Sequence, residues 1–253
     1  MKKRLIIPLF VLLVFALCGC GSDKAFNPLL AVCGDVNNVL SFSASENDFS
    51  KINYTFEDEK YSGYKLSDIL QAAGVKSENS KIYFMAADGM MAAIDYKDLA
   101  ENYITFTEKG WEAMNVDYPP SCNVKEMKQI VVVDMDENPD YGVKVNFADG
   151  AADVLTCGKL LVGDRIDARK VEGTNEKGGK QVTVITTVSG LYIPDYLGCS
   201  ADSLISLGDA DGKSAFYYAD GYLKANGNAI DYVSLEHKED IADVRSLSLK
   251  SAE

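Results

Sequence analysis

Histidine is almost absent from the 253-residue chain, which has His237 alone, in the polar stretch LEHKED. A lone histidine in such a stretch is typical of a solvated side chain. Ser-His-Asp triads, two-histidine metal sites and histidine acid–base pairs are therefore excluded. The chain also lacks a CxxC motif, which argues against a redox dithiol or a zinc ribbon. Arginine is scarce as well, and beyond residue 4 the chain has Arg165, Arg169 and Arg245.

Long hydrophobic runs are lacking except at the start of the chain. There MKKR precedes IIPLFVLLVFAL, an apolar stretch too short for a comfortable membrane span. Leu17-Cys18-Gly19-Cys20 follows, the pattern of a bacterial lipoprotein signal with Cys20 as the lipid acceptor. An ordinary cleaved signal and a short anchor helix are the alternatives. We expect residues 1–19 to be a signal peptide and residues 20–28 a tether, which leaves an extracytoplasmic protein anchored to a bacterial cell membrane by palmitate-type acyl chains.

Positive charge is in deficit. The formal net charge is -13, and it falls to about -16 once Lys2, Lys3 and Arg4 are removed with the signal. Such a balance argues against nucleic acid and against anionic lipid headgroups as partners. An acidic balance is also common in soluble exported proteins, so it does not by itself indicate a function.

Cysteine is present, but without the spacing of a disulfide framework. After lipidation four cysteines remain, Cys33, Cys122, Cys157 and Cys199, and they allow three pairings. An exported protein can form disulfides. The long spacings leave the redox state of these four residues open.

Two stretches of the chain match each other. YSGYKLSDIL (61–70) and VSGLYIPDYL (188–197) share Ser-Gly, Asp and Leu at a constant offset of 127 positions. Cys33-Gly34 and Cys157-Gly158, and the two Ala-Asp-Gly triplets at 87–89 and 210–212, match at similar offsets. Several matches in the same order predict a tandem duplication. We expect a first domain over residues 29–141 and a second, divergent copy over residues 142–253.

The elements of each copy follow from periodicity. Leu66, Ile69, Leu70 and Ala73 give a helical face that ends at Gly74, with Ser67 as a candidate cap. KIYFMAA, an Asp-Gly turn and MAAIDY predict a hairpin, and DLAENY predicts a short helix. MKQIVVVD (127–134) predicts a closing strand. Each copy is therefore expected to be α+β, rich in strands and with one clear helix.

The first copy resembles the molybdopterin-binding domain of the sulfite-oxidase-like oxidoreductases. The shared pattern comprises VCGDV, YSGYKLSDIL, Gly74-Val75, Ala87-Asp88-Gly89, Pro119-Pro120 and the strand KQIV at 128–131. The resemblance covers about residues 30–135, and it implies two tandem domains of that fold. Residues 143–250 resemble the family through the first copy.

The resemblance also implies a molybdopterin cofactor, whose metal the family binds through a cysteine on the segment before the Ser-Gly turn. Here that segment reads FSKINYTFEDEKY or KGGKQVTVITTV, and neither contains cysteine. Cys33 and Cys157 lie earlier and are not assigned this role. The family also binds an anionic pterin phosphate, which needs arginine, lysine and histidine donors, and the first copy has no arginine. The chain is interpreted as a degenerate member, with no cofactor, no catalytic residue and no metal ligand expected.

The chain also contains two calcium-like stretches and two aromatic stretches. DMDENPD (134–140) and GDADGKS (208–214) begin like calcium loops but lack the later ligands, and they are interpreted as solvated turns. The aromatic stretches INYTFEDEKYSGY and SAFYYADGYL could line a ligand groove or form a sheet face.

These observations predict a non-catalytic lipoprotein that binds a small molecule or an envelope protein. One alternative is a molybdopterin-dependent oxidoreductase in which Cys33 or Cys157 reaches the metal. A second alternative is a structural envelope module.

Overall fold

The computed structural model describes residues 28–163, 166–177, 180–235 and 240–250. Strands make up 51% of the structure and helices 12%. The expected α+β class is therefore wrong, and the fold is closer to all-β. The physical reason is that most apolar runs are β-branched or aromatic, which favours strands over helices. The signal segment 1–19 and most of the tether lie outside the described residues, as do His237 and Arg165.

The first half of the chain forms one nine-stranded sheet. Its strands are β1 (Leu30–Gly34), β2 (Leu40–Phe42), β3 (Ile52–Phe56), β4 (Glu59–Lys65), β5 (Ser80–Ala86), β6 (Met91–Asp95), β7 (Asn102–Thr107), β8 (Gly110–Asn115) and β9 (Met127–Asp134). The main order is β2-β1-β9-β8-β7-β4-β3, and β5 pairs with both β9 and β6. A single register pair, Trp111 with Met127, links β8 to β9.

The second half forms two sheets. Its strands are β10 (Val143–Asn146), β11 (Ala152–Leu155), β12 (Ile166–Lys177), β13 (Lys180–Tyr192), β14 (Leu204–Asp209), β15 (Ser214–Tyr218), β16 (Gly221–Asn226), β17 (Ala229–Ser234) and β18 (Val244–Leu249). Their orders are β11-β10-β18-β14-β15 and β12-β13-β16-β17.

The same sequence of pairings occurs in both halves. β1 pairs antiparallel with β2 and parallel with β9, and β10 pairs antiparallel with β11 and parallel with β18. The segment β3-β4-β7-β8 likewise matches β12-β13-β16-β17 in order. In this correspondence Cys33 lies in β1, whereas Cys157 begins a helix and is not in a strand. The Cys-Gly match therefore does not relate equivalent positions of the two halves.

The helices are short. They are α1 (Leu66–Ala73), α2 (Cys157–Val162) and α3 (Ile193–Leu197). Within the described residues no helix is long and apolar enough to cross a bilayer.

Helix α1 confirms the periodicity argument. Its buried residues are Leu66, Ile69, Leu70 and Ala73, and it ends at Gly74 in the left-handed conformation. The cap prediction was wrong, because Lys65 holds the N-cap position and no side chain caps the helix. The segment 98–103 was also predicted incorrectly as a helix. A 3-10 turn covers Tyr96–Asp98, and β7 begins at Asn102.

Each half has its own apolar core. In the first half Trp111 is fully buried and packs edge-on against Phe42, with ring centroids 5.5 Å apart. Its indole Nε1 donates to the carbonyl oxygen of Pro28 at 2.8 Å. In the second half Tyr232 is fully buried, and its hydroxyl donates to the carbonyl oxygen of Tyr218 at 2.8 Å. The hydrogen bond from Trp111 thus fixes Pro28, the first described residue, to the core of the first half.

The repeated Ser-Gly has a steric cause. A Cβ on Gly63 would lie 2.6 Å from the carbonyl oxygen of Ile104 and would overlap the hydroxyl of Thr105. A Cβ on Gly190 would overlap the carbonyl oxygen of Leu223 in the same way. At both places the strand lies against its neighbour just before it turns into α1 or α3. Glycine is needed there because no side chain fits.

Gly63→Ala should destabilise the protein by roughly 1–3 kcal/mol, because the added methyl forces the strands apart. Denaturant unfolding followed by circular dichroism measures the loss. The matched control is Ser62→Ala at the exposed neighbouring position. Equal stability of the two variants would contradict the steric argument.

Candidate functional site

The two halves meet at a seam around helix α2. Thr156 caps this helix by accepting a hydrogen bond from the backbone N–H of Lys159. The carboxylate of Asp35, at the end of β1, is 1% exposed. It accepts hydrogen bonds from the N–H of Asp134 at 2.8 Å, the hydroxyl of Thr156 at 2.7 Å and the N–H of Gly158 at 3.0 Å. A single carboxylate thus joins β1, β9 and the start of α2.

Burial shapes the electrostatics of the seam. Burial raises the pKa of Asp35, although its three donors act in the opposite direction. Burial also lowers the pKa of Lys76, whose ammonium lies 4.2 Å from the ring centroid of Tyr141. The pKa of Asp134 is lowered, because burial is outweighed by hydrogen bonds, the first of them from the Tyr141 hydroxyl. The ionisable groups between the halves are therefore paired with groups of the protein itself.

The two buried cysteines lie at this seam. Cys33 packs with Val131 and Val133 against Leu161 of α2. The thiol of Cys157 lies 3.5 and 3.6 Å from the carbonyl oxygens of Gly227 and Ala229. Burial raises its pKa to about 12, and its neighbours are hydrogen-bond acceptors.

A cysteine that binds a metal must do so as a thiolate, and such surroundings disfavour the thiolate. The residues around Cys33 and Cys157 therefore do not suit the molybdenum-ligand role that the alternative hypothesis gave them. Cys33, Cys122, Cys157 and Cys199 are all outside disulfides in the structure.

In the two calcium-like stretches, at 134–140 and 208–214, side-chain oxygens accept hydrogen bonds from backbone N–H groups of the same stretch. Asp134 accepts from the N–H of Asp136 at 2.8 Å, and Asn138 accepts from the N–H of Asp140 at 3.0 Å. In the second stretch Asp209 accepts from the N–H of Lys213 at 2.9 Å. These contacts are those of side chains that stabilise turns. Over the described part of the chain, no three His, Cys, Asp or Glu side chains are grouped so as to hold a metal ion.

Three tyrosines form a stack on one side of β3, β4 and β7, which we call the tyrosine face (Tyr54, Tyr61 and Tyr103). The ring centroids of Tyr54 and Tyr103 are 4.0 Å apart and their planes differ by 11°. Tyr61 stacks on Tyr54 from the other neighbour, at 5.7 Å and 21°. A Cβ on Gly63 would lie 3.2 Å from the Tyr54 ring. The glycine that lets the strands approach therefore also leaves room for the stack.

Each hydroxyl of the tyrosine face has a partner. The hydroxyls of Tyr54 and Thr105 lie 2.6 Å apart, the Tyr61 hydroxyl donates to Glu59 at 2.9 Å, and the Tyr103 hydroxyl donates to Glu101. Burial raises the pKa of Tyr54. The hydrogen bonds to glutamate raise the pKa of Tyr61 and bring that of Tyr103 to about 12. The face therefore combines aromatic area with fixed carboxylates.

A shallow cleft of about 480 Å³ lies at the β3–β4 hairpin. It is lined by Asn53, Tyr54, Thr55, Lys60, Tyr61 and Ser62. Because side chains alternate along a strand, the two tyrosines and the four polar residues point to opposite sides of this hairpin. The hairpin thus offers an aromatic side and a polar side.

The second aromatic stretch is divided between two sheets. Phe216 on β15 is 58% exposed, whereas Tyr222 on β16 is buried and packs on Tyr192 with centroids 4.9 Å apart. The register pair Tyr192–Tyr222 occupies the place that Lys65–Tyr103 occupies in the first half. The sequence marked the aromatic stretches but gave no sign that Tyr103, 42 positions beyond Tyr61, joins them.

Asp35→Asn should destabilise the protein by roughly 1–3 kcal/mol. An amide has a single acceptor oxygen, so its NH2 group must face one of the three donors and leave that donor unpaired. Thermal unfolding measures the change, with the exposed Asp117→Asn as the matched control. A cost no larger than that of the control would show that the carboxylate does not hold the seam.

No family model matches the chain, and no curated protein matches it. Among solved structures, the sulfane dehydrogenase SoxCD from Paracoccus pantotrophus is similar over 83% of this chain, with a TM-score of 0.38 and 13% identity. The matched region spans 64% of that longer chain. The likeness is a distant one, and the resemblance to sulfite-oxidase-like proteins stays a prediction.

Proposed function

We propose that the protein is a lipid-anchored extracytoplasmic binding protein whose ligand is a small molecule held at the tyrosine face. The observation that carries the proposal is the stack of Tyr54, Tyr61 and Tyr103, with its hydroxyls fixed by Thr105 and by glutamates. Tyrosine combines a large apolar area with a polar handle, and it is enriched where proteins bind partners. Tyr61, at the end of the stack, is half-buried and so remains within reach of a ligand.

A binding role fits the surroundings of the reactive groups better than catalysis does. Asp35 is committed to three donors, and Cys157 faces two carbonyl oxygens. These groups serve the scaffold, and the thiol has a pKa raised by burial, whereas a nucleophile or ligand thiol needs a lowered one. This supports the interpretation of the chain as a degenerate relative of cofactor-dependent enzymes.

The anchor is part of the same proposal. Cys20 would carry the acyl chains, and Pro28 is held to the first core by Trp111. The eight residue-to-residue steps from Cys20 to Pro28 span at most about 26–29 Å when extended. The body of the protein would therefore stay close to the membrane surface.

We also propose that the two halves arose by duplication. The shared pairing order and the two sterically required glycines, Gly63 and Gly190, support this. The Tyr192–Tyr222 pair would then be the second-half counterpart of the tyrosine face.

Lipidation at Cys20 is tested by expressing the full chain in a bacterial host supplied with labelled palmitate. The label should enter the wild-type protein and should be lost from Cys20→Ser, because the thiol is the acyl acceptor. The matched control, Cys18→Ser, should keep the label. Labelling that survives Cys20→Ser would contradict the anchor.

Ligand binding is tested by screening small molecules for a rise in the melting temperature of the full chain in a non-ionic detergent. A ligand that binds the folded state raises its stability by mass action. Tyr61→Ala should abolish the rise, whereas Tyr218→Ala, at a tyrosine that is 45% exposed on another sheet, should keep it. A rise that persists in Tyr61→Ala would place the ligand elsewhere.

A further inference from the structure

A nearly buried carboxylate lies beside the tyrosine face. Glu112 on β8 pairs in register with Thr105 on β7, and the Thr105 hydroxyl contacts the hydroxyl of Tyr54. Glu112 is 6% exposed. Its negative charge is among the causes that raise the pKa of both Tyr54 and Tyr61. The carboxylate therefore influences the hydroxyls of Tyr54 and Tyr61 electrostatically.

The charge of Glu112 has no protein counter-ion in the described parts of the chain. Its Oε1 accepts a hydrogen bond from the hydroxyl of Thr107 at 2.7 Å. The cations of the ion pairs seen in those parts are Lys159, Lys170, Lys213 and Arg245, each paired with another acid. A carboxylate withdrawn from water favours a compensating positive charge.

The charges around the stack are mostly negative, although Lys65, the register partner of Tyr103, lies on the same side of β4 as Tyr61. Glu59 and Glu101 hold the hydroxyls of Tyr61 and Tyr103. Lys60 alternates with Tyr61 along β4, so its side chain leaves on the polar side of the hairpin. Aromatic faces carry negative potential and attract cations, most strongly where water is partly excluded. A ligand with an anionic group would instead meet three glutamates.

We propose that the tyrosine face binds an organic cation, with a substituted ammonium group beside Glu112 and its alkyl groups against Tyr61. This rests on the proposed function, that the tyrosine face holds a small molecule. The site needs no further cofactor, because recognition comes from one carboxylate and the aromatic stack.

The test compares two molecules of the same shape. Choline and 3,3-dimethylbutan-1-ol differ in a single atom, since a neutral carbon replaces the quaternary nitrogen. Isothermal titration of the full chain, in a non-ionic detergent, should show choline binding at least about tenfold more tightly than the alcohol. Glu112→Gln should weaken choline binding about tenfold and leave the alcohol unchanged. Glu108→Gln is the matched control, because it removes the same charge from the exposed turn of the same hairpin.

The outcomes separate the two proposals. If both molecules bind equally, and binding is lost in Tyr61→Ala but kept in Glu112→Gln, the proposal of a cationic ligand is overturned. The ligand site at the tyrosine face would then remain. If neither molecule binds, the proposal of a cationic ligand is also overturned. The melting-temperature screen then tests independently whether the tyrosine face is a ligand site. The comparison on the wild-type chain needs no variant, so it stands even if Glu112→Gln fails to fold.

Discussion

The packing of the two halves against each other depends on the hydrogen bonds that the carboxylate of Asp35 accepts. It gathers donors from β9, from the cap of α2 and from the first turn of α2, in a place that is 1% exposed. Gly158 makes the contact possible, since a Cβ there would overlap the carbonyl oxygen of Val132. The seam between the halves is consequently filled by helix α2 and by the hydrogen bonds of Asp35.

The tyrosine face depends on a second close approach. Gly63 lets β4 lie against β7, and the space that its missing side chain leaves lets the rings of Tyr54 and Tyr103 meet. One residue thus serves both the sheet and the stack. The same glycine recurs as Gly190, and a pair of tyrosines lies beside it. The sequence match that first drew attention to these positions therefore has a backbone cause with a side-chain consequence.

Local patterns predicted single elements well and their assembly poorly. The apolar spacing in 66–73 and the terminal Gly74 are enough to specify α1, because a short amphipathic helix depends on its own residues and its end. The class was wrong because α+β was inferred from one clear helix, whereas most of the chain pairs into sheets. Cys157 shows the same limit, since TCGKLL has both strand-like and helix-like features, and the cap by Thr156 decides for the helix.

The sequence by itself determined the local elements α1, the hairpin of β5 and β6, and the closing strand β9. Periodicity and chain stereochemistry act between neighbours, so these can be read without a partner. Tertiary structure alone decided that Tyr103 completes the stack and that Glu112 lies beside it. It also decided that Asp35 bridges to residues 134, 156 and 158. Those groups are far apart in the chain, and the strand register that brings them together is set by packing of the whole sheet.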